Sequence, residues 1–160
     1  MNENIKLFNG DCLEVMDKFI EQGIKVDAII TDPPYKLTSG GHANTKIKGC
    51  IGRIENEHAK TGNIFSHNKI TFKDWFGKAY QLLKDGTHFY CMCNDKNLQG
   101  VLNAGEEAGF KEVNVLVWEK GMHTPTQYYM KNVEFIVLFR KGKAKYINNM
   151  GSFALILYIS

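Results

Sequence analysis

The stretch Val26-Asp27-Ala28-Ile29-Ile30-Thr31-Asp32-Pro33-Pro34-Tyr35 decides how the rest of the sequence is read. Val26 to Ile30 is a short run of β-branched and small apolar residues, stopped at once by Asp32-Pro33-Pro34. That pattern predicts a buried strand ending in a loop. Outward from it, His88 to Cys93, Val113 to Trp118 and Val133 to Phe139 are similar runs rich in aromatic and β-branched residues, giving four predicted strands. Helical periods lie between them. Asp11 caps a helix with Leu13, Met16, Phe19 and Ile20 on one face, Glu14 at its third position and Gly23 as its stop. Thr71, with Asp74 three residues on, opens a second helix, whose stripe of Trp75, Phe76, Ala79, Tyr80, Leu82 and Leu83 is ended by Asp85-Gly86. A third is predicted from about Asp95, burying Leu98, Val101, Leu102 and Ala108 and closing at Gly109. Alternating strands and helices of this length make an α/β layered domain with a largely parallel sheet. The short, irregular connection from Lys120 to Asn132 predicts that the last two strands pair antiparallel.

Composition bounds the alternatives. The chain has 160 residues, 44% apolar and 23% charged, which fits one globular domain and excludes collagen-like and disordered classes. A net charge of +3, from 20 Lys+Arg against 17 Asp+Glu, permits a nucleic-acid partner without implying one. Asp11, Glu14, Asp17 and Glu21 interrupt the first residues, so no secretory signal is expected and the chain is placed in the cytosol. Phe153 to Ile159 is too short for a bilayer span, which takes about 20 residues. The four cysteines read as reduced thiols, with Cys91 and Cys93 in the core. No metal site is expected from them or from His42, His58, His67, His88 and His123.

Two segments depart from the regular pattern. Residues 36–70 carry Lys36, Lys46, Lys48, Arg53, Lys60 and Lys69 against Glu55 and Glu57. A long loop of this composition could meet phosphates or could simply be solvated. The other is the C-terminal segment, in which residues 148–160 form an atypical apolar tail.

The chemistry is carried by Asp32-Pro33-Pro34-Tyr35, at the carboxyl end of a strand, where open α/β sheets bind ligands. At ordinary residue usage such a string arises by chance in a chain this long about once in a thousand. Proline has a carbonyl and no N–H, so this loop can only accept hydrogen bonds at its prolines. With an ionised Asp32 beside it, the Pro33 carbonyl suits a substrate atom that bears two N–H donors, such as the exocyclic amine of a base. Accepting from both N–H groups favours the pyramidal amine, frees its lone pair for attack and stabilises the positive charge that develops. Tyr35 offers a ring on which an extruded base can stack, worth roughly 1–3 kcal/mol. The alternative is a proline-stiffened turn with Tyr35 packed.

With these residues the chain resembles the DNA amino-methyltransferases that modify adenine N6 or cytosine N4 using S-adenosylmethionine, in the subgroup usually called class beta. The resemblance runs from about Ile5 to Lys145. It implies a partial Rossmann-like fold over residues 1–147, a mostly parallel sheet ending in an antiparallel hairpin. It also implies DNA as partner and a restriction-modification setting. Asn9-Gly10-Asp11-Cys12-Leu13 is similar to the family element that reaches the adenosyl part of the cofactor. By that likeness Asp11 would accept from the cofactor's adenine amine and Cys12 would contribute a backbone N–H, while Asp11 is equally explained as a helix cap. Asp32 would serve both cofactor and substrate, with Pro33, Pro34 and Tyr35 completing the catalytic element. An Asp-type tetrapeptide favours adenine N6, with cytosine N4 as the alternative substrate. Trp118-Glu119-Lys120 and Glu134-Phe135-Ile136-Val137-Leu138 resemble the family's final hairpin and read as scaffold. No cysteine follows a proline, so direct displacement is expected over a covalent route.

The sequence departs from the family in one respect. The Phe-x-Gly-x-Gly-like turn expected after the hairpin is missing, so the chain reads as cut short. One edge of Val26 to Ile30 is then left unpaired, and either the Phe153 to Ile159 tail covers it, or another chain does, a second copy or a complementing one, or the fold is marginal. Two further readings follow: a catalytically inactive remnant that binds nucleic acid or a partner, and an amide or RNA substrate. The latter families usually place Asn where Asp32 stands.

Overall fold

The computed structural model describes residues 6–33, 70–124, 129 and 131–143. Pro34, Tyr35, the loop over 36–69 and the tail over 148–160 lie outside them. The order is α1 (Cys12–Glu21), β1 (Val26–Thr31), α2 (Phe72–Leu82), β2 (Leu83–Cys93), α3 (Leu98–Ala108), β3 (Lys111–Thr124) and β4 (Lys131–Arg140).

The local signals explain where the helices start. Asp11 Oδ1 accepts the Leu13 N–H at 2.8 Å and caps α1. At α2, Asp74 Oδ2 accepts the Thr71 N–H at 2.6 Å and its hydroxyl at 2.8 Å, a capping box. α3 closes at Gly109, whose φ of +94° is a left-handed conformation that glycine adopts at no steric cost.

Three expected boundaries shift. α3 begins at Leu98 rather than near Asp95, because Asn94 Oδ1 accepts the Asn97 N–H at 3.0 Å and folds 95–97 into a turn. Asp85-Gly86 does not separate α2 from its strand. β2 begins directly at Leu83, which is fully buried and pairs with Val26. Gly86 absorbs the irregularity, with φ +79°, and its N–H donates to the Lys141 carbonyl at 3.0 Å. The register skips there, from Val26↔Leu83 to Ala28↔His88. β3 reaches Thr124, beyond the Trp118 limit expected from its apolar run, because pairing with β4 resumes at Thr124↔Lys131.

The sheet order is β1-β2-β4-β3. β1 and β2 are parallel, and β4 is antiparallel to both its neighbours. Three of the four strands therefore run one way, with β4 inserted against them. Among the described residues, no strand pairs with the outer edge of β1.

α2 and α3 cover the sheet face that carries Phe89, Cys91, Cys93, Val137 and Phe139, and Leu13 and Met16 of α1 pack at its margin. Its centre is aromatic. Phe89 meets Phe76 at 5.2 Å, Phe110 at 5.1 Å and Phe139 at 5.6 Å between ring centroids, all within the range of favourable ring pairs. Gly105 of α3 lies directly over the Phe139 ring, so close that a Cβ there would fall 2.3 Å from Cε1. By strand alternation the opposite face carries Ile30, Tyr90, Met92, Ile136 and Leu138. Ile30 is 64% exposed. No described helix is long and apolar enough to cross a membrane.

Candidate active site

The sheet directions gather the chemistry at one end. α1 and α2 lie side by side, tied by the Lys78–Asp17 ion pair and by Lys25 Nζ donating to the Gln81 carbonyl at 2.7 Å. Each helix feeds its strand through a short reversal. The helix N-termini and the strand carboxyl ends therefore share one edge of the domain. Asp11 and Cys12 open α1 there, Asp32 and Pro33 follow β1, Asn94 follows β2, and the β3–β4 hairpin brings Lys120 and Glu134.

Asp32 is solvent-exposed as a residue and Pro33 is buried. The Asp32 carboxyl is nonetheless partly desolvated by its surroundings. That desolvation, reinforced by the Glu134 carboxylate, raises its pKa above the ordinary carboxylate value, and the Lys120 ammonium opposes the rise. Lys120 and Glu134 form an ion pair with both side chains partly buried. Lys120 Nζ also stands 5.6 Å from the Trp118 ring centroid, within cation–π range. Beneath Asp32, burial pushes the Cys93 thiol up to about 11 and Cys91 higher still, with Asp32 itself contributing to both shifts. Both thiols stay protonated and inert at neutral pH.

At α1, Asp11 has one carboxylate oxygen committed to Leu13. The first-turn N–H of Cys12 has no helical acceptor by construction. This is a set of one acceptor and one donor on an exposed helix start, which fits the edge of an adenine ring. Its capping role and a cofactor role are compatible.

Of the residues anticipated from sequence, the structure brings Asp11, Cys12, Asp32 and Pro33 to the same edge. Pro34 and Tyr35 fall outside the described residues. In the sequence Lys120 and Glu134 read as hairpin scaffold. Their signal was available in outline: opposite charges near the turn end of two strands expected to pair antiparallel. A second ion pair, Asp95–Lys131, ties the turn after β2 to the start of β4 and holds the Asp95 carboxyl below its ordinary pKa, chiefly through the Lys131 hydrogen bond.

The chain is 28% identical over 145 residues to the type II methyltransferase M2.MboI of Moraxella bovis, covering 88% of this chain and 51% of that protein. It is 27% identical over 146 residues to M2.LlaDCHI of Lactococcus lactis subsp. cremoris, covering 89% and 53%. The chain thus spans about half the length of these relatives. In fold it is similar to M1.HpyAVI, crystallised with S-adenosylmethionine, at a TM-score of 0.61 and 21% identity over 92% of this chain and 63% of that one. TTHA0409 of Thermus thermophilus, also solved with S-adenosylmethionine, gives 0.54 at 19% identity over 88% and 56%. Residues 26–154, from the strand that carries Asp32 to beyond the hairpin that carries Lys120 and Glu134, match the DNA methylase family of N6/N4 type, and the chain belongs to that family.

Proposed function

We propose that this chain carries the base-amine half of a DNA methyltransferase site, with adenine N6 as the preferred target and S-adenosylmethionine as the methyl source. The observation that carries the reading is the position of Asp32-Pro33: a carboxylate and a carbonyl with no companion N–H, at the carboxyl edge of β1 in a chain of this family.

When bound, S-adenosylmethionine supplies an electrophilic methyl group. Asp11 would accept from its adenine amine and Cys12 would donate a backbone N–H, at the same edge as Asp32. On the substrate side, Asp32 and the Pro33 carbonyl accept the two N–H groups of an extruded base. The nitrogen lone pair is then drawn out of conjugation with the ring, and the charge that develops on nitrogen is stabilised. Pro34 brings no N–H donor to this element, and Tyr35 would supply the stacking face. An ionised Asp32 suits this role, since a protonated one would present a donor where an acceptor is needed.

The test is to incubate the purified chain with duplex DNA and methyl-labelled S-adenosylmethionine, then digest the DNA to nucleosides. Label is expected in N6-methyladenine, and Asp32→Ala is expected to lower it by about a hundredfold or more, by analogy with removing one preorganised polar group. Unchanged turnover in Asp32→Ala removes the acceptor role, and label in N4-methylcytosine reassigns the substrate.

A second reading is favoured by the half-length match to the relatives. In it the chain alone is inactive and acts through nucleic acid or a complementing chain. Calorimetric titration separates the two: heat with S-adenosylmethionine supports the enzyme, whereas salt-sensitive DNA binding without it supports the second reading.

A further inference from the structure

We propose that the Lys120–Glu134 ion pair is a positioning device for Asp32, holding it as an unpaired carboxylate turned to the substrate side rather than neutralised by the protein's own cation.

The placement follows from the register. Trp118 pairs with Glu134 across β3 and β4, so Lys120 is the diagonal neighbour of Glu134 on the same face. Ile136 pairs with Met92, and Tyr90 with Ile30. One step beyond Thr31↔Cys91, Asp32 comes level with Met92 on that face. The alternation therefore puts Asp32, Glu134, Lys120 and Trp118 on the face of the sheet that no described helix covers, at its carboxyl edge. Lys120 is held twice, by Glu134 and over the Trp118 ring. A half-buried lysine with two partners is not at liberty to swing to a third.

The charges divide the work. Glu134 keeps Lys120 from closing on Asp32, while Lys120 keeps the Glu134 charge from driving a proton onto Asp32. On β2 the same face carries Tyr90 and Met92, a phenol and a thioether, so the balance is left to the pair, while the Cys91 and Cys93 thiols lie on the opposite, helix-covered face. Asp95 and Lys131, at the same edge, neutralise each other. Among the described residues of this face, what is left is one uncompensated negative charge at Asp32, aimed where an amine would acquire positive charge.

This inference rests on the reading of Asp32 as the amine acceptor, and its test is independent of that reading. The carboxyl carbon of Asp32 is titrated by NMR in the full chain, without cofactor or DNA, for the wild type, Glu134→Gln, Lys120→Met and Lys120→Arg. Glu134→Gln is expected to shift the Asp32 midpoint down, because the freed Lys120 turns to it. Lys120→Met is expected to shift it up, and Lys120→Arg to restore the wild-type curve. Asp74, at the start of α2 on the helix-covered side of the sheet, is the internal control and should not move. Coincident Asp32 curves in all four proteins overturn the proposal, as do shifts that Asp74 shares. Should either charge-removing variant lose its dispersed spectrum, the other still decides. If the coupling holds in a protein that methylates nothing, the acceptor reading fails alone.

Discussion

Gly105 offers a substitution whose sign the structure reverses. In a helix interior, glycine to alanine stabilises by about 1 kcal/mol, because the backbone loses less entropy on folding. At Gly105 the new methyl would sit 2.3 Å from Cε1 and 2.5 Å from Cζ of Phe139, far inside van der Waals contact. A ring edge can sometimes turn away. Phe139 is 1% exposed and wedged against Phe76, Phe89 and Phe110, so relief requires moving the whole aromatic centre. Overpacking of this kind costs about 1–3 kcal/mol, and contact this deep belongs near the upper end. Subtracting the helix gain leaves a net loss of about 2 kcal/mol. With a urea m-value of about 2 kcal/mol/M, the unfolding midpoint of Gly105→Ala should fall by about 1 M. Gly77→Ala is the matched control: it lies in α2 with nothing within 4 Å of the added methyl, and its midpoint should rise. Pairing Gly105→Ala with Phe139→Leu should cost less than the two single changes added together. If Gly105→Ala instead raises the midpoint as Gly77→Ala does, the packing of α3 on β4 is wrong.

Further expectations concern single groups. At pH 8, iodoacetamide should modify the exposed Cys12 of the folded chain and spare Cys91 and Cys93, where burial disfavours the thiolate; peptide mass mapping that finds either core cysteine alkylated at the Cys12 rate contradicts their placement. Asp74→Asn should lower the urea midpoint at pH 7, because the Thr71 N–H and hydroxyl hold the Asp74 carboxyl below its ordinary pKa. For a depressed carboxylate the stabilisation is present above the unfolded-state value of about 4 and is lost as pH falls through the folded value; a gap between variant and wild type that does not narrow on acidification rules out the charged cap. Asp11→Ala should weaken α1 by about 1 kcal/mol through loss of the cap. If Asp11 also serves the cofactor, the same change should abolish calorimetric heat with S-adenosylmethionine while the chain stays folded, and undiminished heat limits Asp11 to capping.

The parts legible in the sequence are those set by neighbours a few residues away. Asp11 and the Thr71–Asp74 box announced their helices, Gly109 announced a stop, and Asp32-Pro33 marked the strand end at which the domain gathers its polar groups. What stayed hidden depends on contacts between distant segments. The insertion of β4 between β2 and β3 follows from pairing Phe89 with Phe139 and Val115 with Val137, which no local period encodes. Gly105 reads as a poor helix residue until Phe139 is placed beneath it. Gly86 reads as a helix terminator until Lys141 supplies the acceptor that makes it a bulge within β2. Lys120 and Glu134 gain significance only when the register brings them to the same face and edge of the sheet as Asp32.

The reversed direction of β4 constrains how a larger protein can be assembled around this one. Because β4 starts at the Asp32 edge and ends at the other, a connection leaving residue 143 sets out from the far rim. Reaching the outer flank of β1 from there means crossing three strand spacings, about 14 Å, a distance that about four extended residues can bridge. A segment arriving by that route would run alongside β1 in the same sense and deliver its own terminal turn next to Asp32. Among the described residues, no strand stands in the way of growth outward from β1.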